Sequence, residues 1–459
     1  MTQDSVRRPN AAPSAAGPGV LALAALAISG CAPPAASVPE PVSEEDLPAL
    51  REELRLDPGD RSVQGHLAAS LLEAGQCDEA SRVAQNAATS PFDSWPTLVL
   101  GRCLEEAEQD EAALEVYRSY LATYDQGTGV PPVRGHALLV ERRLTATRAR
   151  ELLAAGPSTP APTSIVAVLP FRVRGDDELE PVARTLTERL SKDLSEIDGL
   201  EVVDPLLVRL VLEQFGSQGA LGLDSAQAVA LARTLGAGQV IQGTAYLDPA
   251  GLNRLATRVT STEGQEGEGG RVQGSLEEIP RLEKELALET ARALGEVPSP
   301  EERTRILYRG PRDVPSLRAY GEGLDLQWMQ EYQQAVSRFT DAVRLDPDFE
   351  DARRALEANA AAAVLEGDGG DNVLAARTTV SAALASARRP GGVVDPHRLA
   401  IRAGTSDVSA TQGERITGVV AASGEDGAVG SIQNLDAPGL ITPAQLTGLI
   451  RIIVVIPGG

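Results

Sequence analysis

Apolar positions along the chain follow three spacings. Residues 165–171 (IVAVLPF) are apolar without interruption over the length of a strand, the pattern of one buried on both faces. After Pro181, residues Val182, Leu186, Leu190, Leu194 and Ile197 recur every three or four positions, giving a helix with one apolar stripe. Glu201-Val202-Val203 is a second short strand, so the three segments make a βαβ unit. The pattern goes on with helices over 205–215 and 225–235, strands over 239–247 and 252–260, and a helix over 281–294. Residues 164–295 are therefore expected to form an α/β domain. Within it, 261–270 (STEGQEGEGG), rich in Gly and Glu, reads as an exposed loop.

The third spacing is a repeat of about 34 residues, the period of helix-turn-helix solenoids. Over 316–349, Gly323, Ala335, Phe339, Ala342 and Pro347 stand where tetratricopeptide repeats place a glycine, a small residue, an aromatic, a second small residue and a proline; the segment resembles such a repeat. The reason is steric: small residues let two antiparallel helices touch, and the aromatic fills the gap beside them. Two degenerate copies are read upstream. Leu67-Ala68, Ala80 and Ala87 mark one over 61–93, and Leu100-Gly101, Ala113 and Tyr117 mark another from Ser94 onward. Residues 47–58 resemble the last helix of a preceding repeat, and a helix over 134–154 is expected to cap the array. In that register Trp95, Leu98, Arg102, Glu105, Tyr320, Gln327 and Trp328 would face the groove in which such repeats hold peptides, with both tryptophans of the chain as anchors. The organisation expected is repeats at 47–155, a linker at 156–163 (GPSTPAPT), the α/β domain at 164–295 and a further repeat at 296–360.

The α/β segment carries its own resemblance. Ala167–Phe171 (AVLPF), 199–203 (GLEVV), 232–237 (ARTLGA) and 240–243 (VIQG) make it similar to the curli-secretion (CsgG-like) and TolB amino-terminal domains. That resemblance implies a periplasmic lipoprotein, and a related branch activates penicillin-binding proteins. It does not imply a pore, because the chain lacks the paired alternating stretches of about ten residues that membrane hairpins need.

The N-terminus agrees. Arg7 and Arg8 precede an apolar run over 19–28, too short to span a bilayer, which ends in Ile28-Ser29-Gly30-Cys31. This resembles a bacterial lipobox: residues 1–30 are a signal peptide, Cys31 is the acylated residue, and 31–46 is a tether. Ala32, not Asp, follows the lipid site, and by analogy with the lipoproteins it resembles this implies the outer membrane. Charge and composition then exclude other classes. The chain carries −23, and removing one Asp and two Arg with the signal gives −24, so nucleic acid is not an expected partner. Three Cys and three His (His66, His136, His397) form no metal-ligand spacing, and no cofactor is expected. The glycines near 264–270 sit among glutamates, which speaks against a phosphate loop, and acidic pairs such as Asp176-Asp177 and Glu105-Glu106 read as solvated faces. With Cys31 lipidated, Cys77 and Cys103 remain as an even pair in an oxidising compartment, either bridged or buried as thiols. Residues 361–459, without aromatics or lysine, read as a low-complexity tail ending in a β-prone stretch at 449–457. The expectation is a non-enzymatic, envelope-anchored interaction protein that grips envelope proteins or peptides and touches the membrane through Cys31. The alternatives are an enzyme acting on cell-wall or small-molecule substrates at 164–295, and a subunit of an oligomeric secretion ring.

Overall fold

The computed structural model describes residues 41–175, 179–214, 223–247 and 251–367, all within the unit Met1–Gly404. The expected signal peptide, Cys31, most of the expected tether, Asp176-Asp177 and the tail beyond 367 lie outside the described residues. Among these residues the fold is mixed: 14 helices and one five-stranded sheet.

Six helices come first: α1 (Leu47–Leu56), α2 (Arg61–Glu73), α3 (Cys77–Gln85), α4 (Trp95–Glu106), α5 (Asp110–Thr123) and α6 (Val130–Ala155), each packed on the next. The Asp60 carboxylate accepts from the Ser62 and Val63 amides and so caps α2. Gly75, at φ +67°, makes the turn into α3. Cys77 and Cys103 form a disulfide with Cα atoms 5.3 Å apart, tying the start of α3 to α4. Closing a 26-residue loop restricts the unfolded chain by roughly 3.5 kcal/mol on the chain-entropy scale.

The sheet has the order β2-β1-β3-β4-β5: β1 (Ile165–Gly175) lies parallel to β2 (Glu201–Val202) and β3 (Gln239–Leu247), while β4 (Asn253–Ser261) and β5 (Glu266–Gly274) continue antiparallel. The helices α7 (Glu180–Ser195) and α10 (Ile279–Ala293) bury one face through Val182, Leu186, Leu190, Leu282 and Leu286 against Val166, Val168, Ile241 and Leu255. The other face packs on α8 (Pro205–Gln214), α9 (Ser225–Leu235) and the end of α6 at Ala149.

β5 corrects the expected loop. Only residues 262–265 turn, and Gly270, Val272 and Gly274 point inward along an edge strand. A Cβ at Gly269 would lie 2.4 Å from Thr257 Oγ1, and one at Gly270 would lie 2.9 Å from Glu289 Cβ. Glycine is there because neighbours press on the strand, although it weakens strand propensity and hides the strand from composition.

Four helices complete the unit: α11 (Pro300–Tyr308), α12 (Val314–Trp328), α13 (Tyr332–Leu345) and α14 (Glu350–Leu365). Two expectations change here. α14 runs to Leu365, past the boundary placed at 360, with Ala360, Ala361 and Ala362 buried. Nor does α6 end an array with a free face, since α14 packs along it on one side and α5 and α8 on others. The small residues Gly135, Ala137 and Ala149 allow that all-round burial, and it leaves α6 without a dominant apolar stripe. No helix among the described residues is long and apolar enough to cross a membrane.

Candidate functional site

The shortness of β2 makes the site. It pairs with β1 only at Ile165 and Val166, so beyond that point β1 is an uncovered edge where Val168 and Pro170 stand. Pro170 suits such an edge because it has no N–H to leave unsatisfied. At the same place the β1–β3 register shifts between Leu169 and Arg172, and the Phe171 amide donates to Thr187 Oγ1 at 2.9 Å. The Thr187 hydroxyl in turn donates to the Ala183 carbonyl at 2.9 Å.

Where a neighbouring strand would have continued there is a cleft of about 340 Å³. Arg184 and Glu188 of α7 form one wall, and Asp204, Leu206 and Arg209 at the start of α8 form the next. Leu138, Glu141 and Arg142 of α6 face Leu324, Gln327 and Trp328 of α12 across the opening. Along α6 and α7 the cleft runs on into a second hollow of about 360 Å³ bordered by Arg134, Lys192, Tyr320, Asp351 and Arg354.

Three guanidinium groups converge at the first hollow. Arg142 donates to the carbonyls of Trp328 (2.7 Å) and Gln327 (3.3 Å), so it satisfies the end of α12. Arg184 holds Asp325 at 2.6 Å. The Arg209 guanidinium carbon sits over the Trp328 ring, 4.0 Å from its centre, and Arg209 reaches the same Asp325 only at 3.5 Å. Burial, then repulsion from Arg184, push the Arg209 pKa down to about 10. One turn along α7 from Arg184, burial and the Asp204 and Asp351 carboxylates push Glu188 up to about 7. Asp204 is itself raised by burial, although the Leu206 amide donates to it at 2.8 Å.

An ionic cluster runs from the second hollow into the interior behind it. Arg189 bonds Asp193 at 3.0 Å, Lys284 bonds Asp193 at 2.7 Å and Glu283 at 3.1 Å, and Arg189 and Lys192 both reach Asp351. Both lysines of the chain are used here. Burial and the adjacent Glu283 push the Asp193 carboxyl up, against the pull of Arg189 and Lys284. The cluster joins α7, α10 and α14 and so fixes one wall of the cleft.

Of the residues expected to line a groove, only Gln327 and Trp328 reach the cleft, and both are engaged there: Gln327 Oε1 accepts from Asn359 Nδ2 at 2.6 Å, and the Trp328 ring carries Arg209. Trp95 is buried with Leu67 and Leu71, Leu98 with Tyr117 and Val133, and Tyr320 between Phe339 and Phe349, its rings 5.5 and 4.8 Å from theirs. Glu105 points inward to Tyr117, His136 and Arg143, and Arg102 lies along α4 beside Glu106. These five do not form a groove, because α5 and α6 cover α4 and the α13–α14 turn covers Tyr320. Gly101, Ala113, Gly323, Ala335, Phe339 and Ala342 sit in the helix contacts, and Pro347 is exposed in the turn after α13. Sequence reasoning missed Arg142, Arg184, Glu188, Arg209 and Asp325. One signal was available: Arg184, Glu188 and Lys192 recur every four residues, a second stripe on α7 beside the apolar one.

No protein-family model matches the chain, and no curated protein or solved structure matches it.

Proposed function

We propose that this protein is an envelope lipoprotein, held at the periplasmic face of the outer membrane by acyl chains on Cys31, that binds envelope proteins or peptides without transforming them. On this reading its helix pairs are tetratricopeptide-type repeats flanking a CsgG- and TolB-like α/β domain. A shared contact supports the repeat assignment: Gly101 on Tyr117 and Gly323 on Phe339 press a first-helix glycine against a second-helix aromatic in the same way. The observation that carries the functional reading is the cleft, whose walls come from α6, α7, α8 and α12, so a bound segment is gripped by both helical regions and the α/β domain together. The only hydroxyl in its main wall, Thr187, already has a donor and an acceptor, which favours binding over nucleophilic catalysis.

A photo-cross-linking residue placed at Leu138 or Gln327 in the native host should give discrete envelope adducts, while the same residue at exposed Leu56 or Val297 should not. Adducts from the controls alone would sink the reading. Glu188, held near neutrality beside Arg184, favours a second reading as a general acid–base on a small substrate. That reading gains if Glu188→Gln leaves the adducts intact and abolishes conversion of cell-wall fragments.

A further inference from the structure

We propose that the cleft takes a ligand with an apolar body and an anionic end group, a carboxylate or a phosphate, received by Arg209 and Arg184 beside Trp328. This rests on the reading of the cleft as a binding site and adds the chemistry of what enters it.

The argument starts from charge balance within the walls. Arg184 and Arg209 share a single carboxylate, Asp325, and Arg184 occupies it at 2.6 Å while Arg209 stands at 3.5 Å. Arg142 spends its donors on main-chain carbonyls, which offset only part of its charge. Glu141 across the opening is paired with Arg118. Asp204 is turned to the α8 amides. Of the three guanidinium groups, Arg209 is held most loosely: it meets Asp325 only at 3.5 Å, feels Glu213 one turn along its own helix, and is desolvated against the indole. A guanidinium held over an aromatic ring beside a shared carboxylate can receive a second carboxylate or a phosphate through its remaining N–H donors. Around it, Leu138, Val168, Leu206 and Leu324 supply an apolar lining for the rest of the ligand.

Glu188 makes the recognition depend on pH. It faces Glu141 from α6, Arg184, Arg189 and Lys192 from its own helix, Asp204 and Arg209 from α8, Tyr320 from α12 and Asp351 from α14. Below its pKa of about 7 it is neutral; above it, it becomes an anion in the same cleft. An anionic ligand should thus bind more weakly as pH rises, whereas a neutral one of equal shape should not change.

Calorimetric titration of the full chain carrying Cys31→Ser with decanoate, decanol and decyltrimethylammonium tests this, with a tripeptide Ala-Leu-Leu as free acid and as amide to separate acyl from peptide sources. Decanoate or the peptide acid should bind in preference to the neutral and cationic probes. Arg209→Gln should weaken that binding by about tenfold, with Arg209→Lys in between. Between pH 6 and 8 the unaltered chain should lose roughly tenfold in affinity for the anionic probe. Equal binding of decanol, or an unchanged affinity in Arg209→Gln at unchanged melting temperature, overturns the anionic end group and leaves the cleft reading standing. Failure of every probe to bind overturns both. The comparison of decanoate with decanol needs no substitution, so it decides even where a variant fails to fold.

Discussion

Glu105 shows how far one side chain can depart from the role its position suggests. Its carboxylate accepts from the Tyr117 hydroxyl at 2.6 Å and from Arg143 at 2.8 Å, and it lies 3.2 Å from His136 Nδ1. Burial alone would raise its pKa, yet His136, Tyr117 and Arg143 together hold it at about 2. A carboxylate lowered in the folded state contributes stability above its unfolded pKa, near 4.3, and loses it as pH falls toward 2. By linkage the contribution at neutral pH is up to roughly 3 kcal/mol. Glu105→Gln should cost about 1–3 kcal/mol in urea unfolding at pH 7, and about half that at pH 3. An equal cost at both pH values would show that packing, not charge, is what the residue supplies. The repeat register led to an expected groove position for Glu105, and its inward turn was not readable, because the partners His136 and Arg143 stand 31 and 38 residues away on α6. Arg189 was hidden for the same reason. A fully buried arginine is stable only where several carboxylates meet it, and although Asp193 stands one turn along the same helix, Asp351 arrives from 162 residues away.

Elements follow the sequence where one periodicity dominates them. The apolar run at β1, the stripe on α7 and the bounds of α9 and β3 were all readable, because each depends on neighbours within a turn or a ladder. β5 was not, since its glycines are set by Thr257 and Leu286 pressing from other elements. The helix pairs stand between these cases. A Cβ added at Gly323 would lie 2.5 Å from the Phe339 ring, and one at Gly101 would lie 2.2 Å from the Tyr117 ring. Both contacts involve rings that are themselves fully buried, so neither ring has room to retreat. Gly323→Ala should therefore destabilise by about 1–3 kcal/mol even though alanine is the better helix former by about 1 kcal/mol. A melting temperature that rises on this substitution would mean that α12 and α13 are less closely packed than the contact requires. Phe339→Leu in the same chain should relieve the clash, giving a double-mutant coupling of opposite sign to the single cost.

At the scale of the whole unit, the joint between α6 and α14 decides whether the cleft exists. The two helical regions are separated in sequence by the entire α/β domain, and α14 returns to lie along α6. A Cβ at Gly135 would be 2.5 Å from Ala361 Cβ and 3.1 Å from the Ala362 amide nitrogen, so backbones as well as side chains are in contact. Around this seam Arg134 pairs with Glu357 at 3.1 Å and with Asp125 at 2.9 Å, and Arg353 and Arg354 meet Asp125 at 3.3 and 3.0 Å. The half-exposed pairs at Asp125 add little individually; Arg134 with Glu357, both nearly buried, fixes the register. Because α6 supplies one wall of the cleft and α12, held by α14 through α13, supplies the opposite one, forcing the seam apart should widen the site without touching a residue in it. Gly135→Leu should do so, since the backbone atoms facing it cannot move independently of α14. Hydrogen exchange should then lose protection across α14 and the end of α12, with α2 to α4, stapled by the Cys77–Cys103 bridge, keeping theirs. Trp328 emission should shift to the red as the cleft opens, while Trp95, enclosed by α2 and α3, should stay unchanged. Protection lost uniformly over all helices would instead mean that the unit unfolds as one and that the seam has no separate stability. Protection retained at α14 would mean that the close approach at Gly135 is not what holds the two regions together.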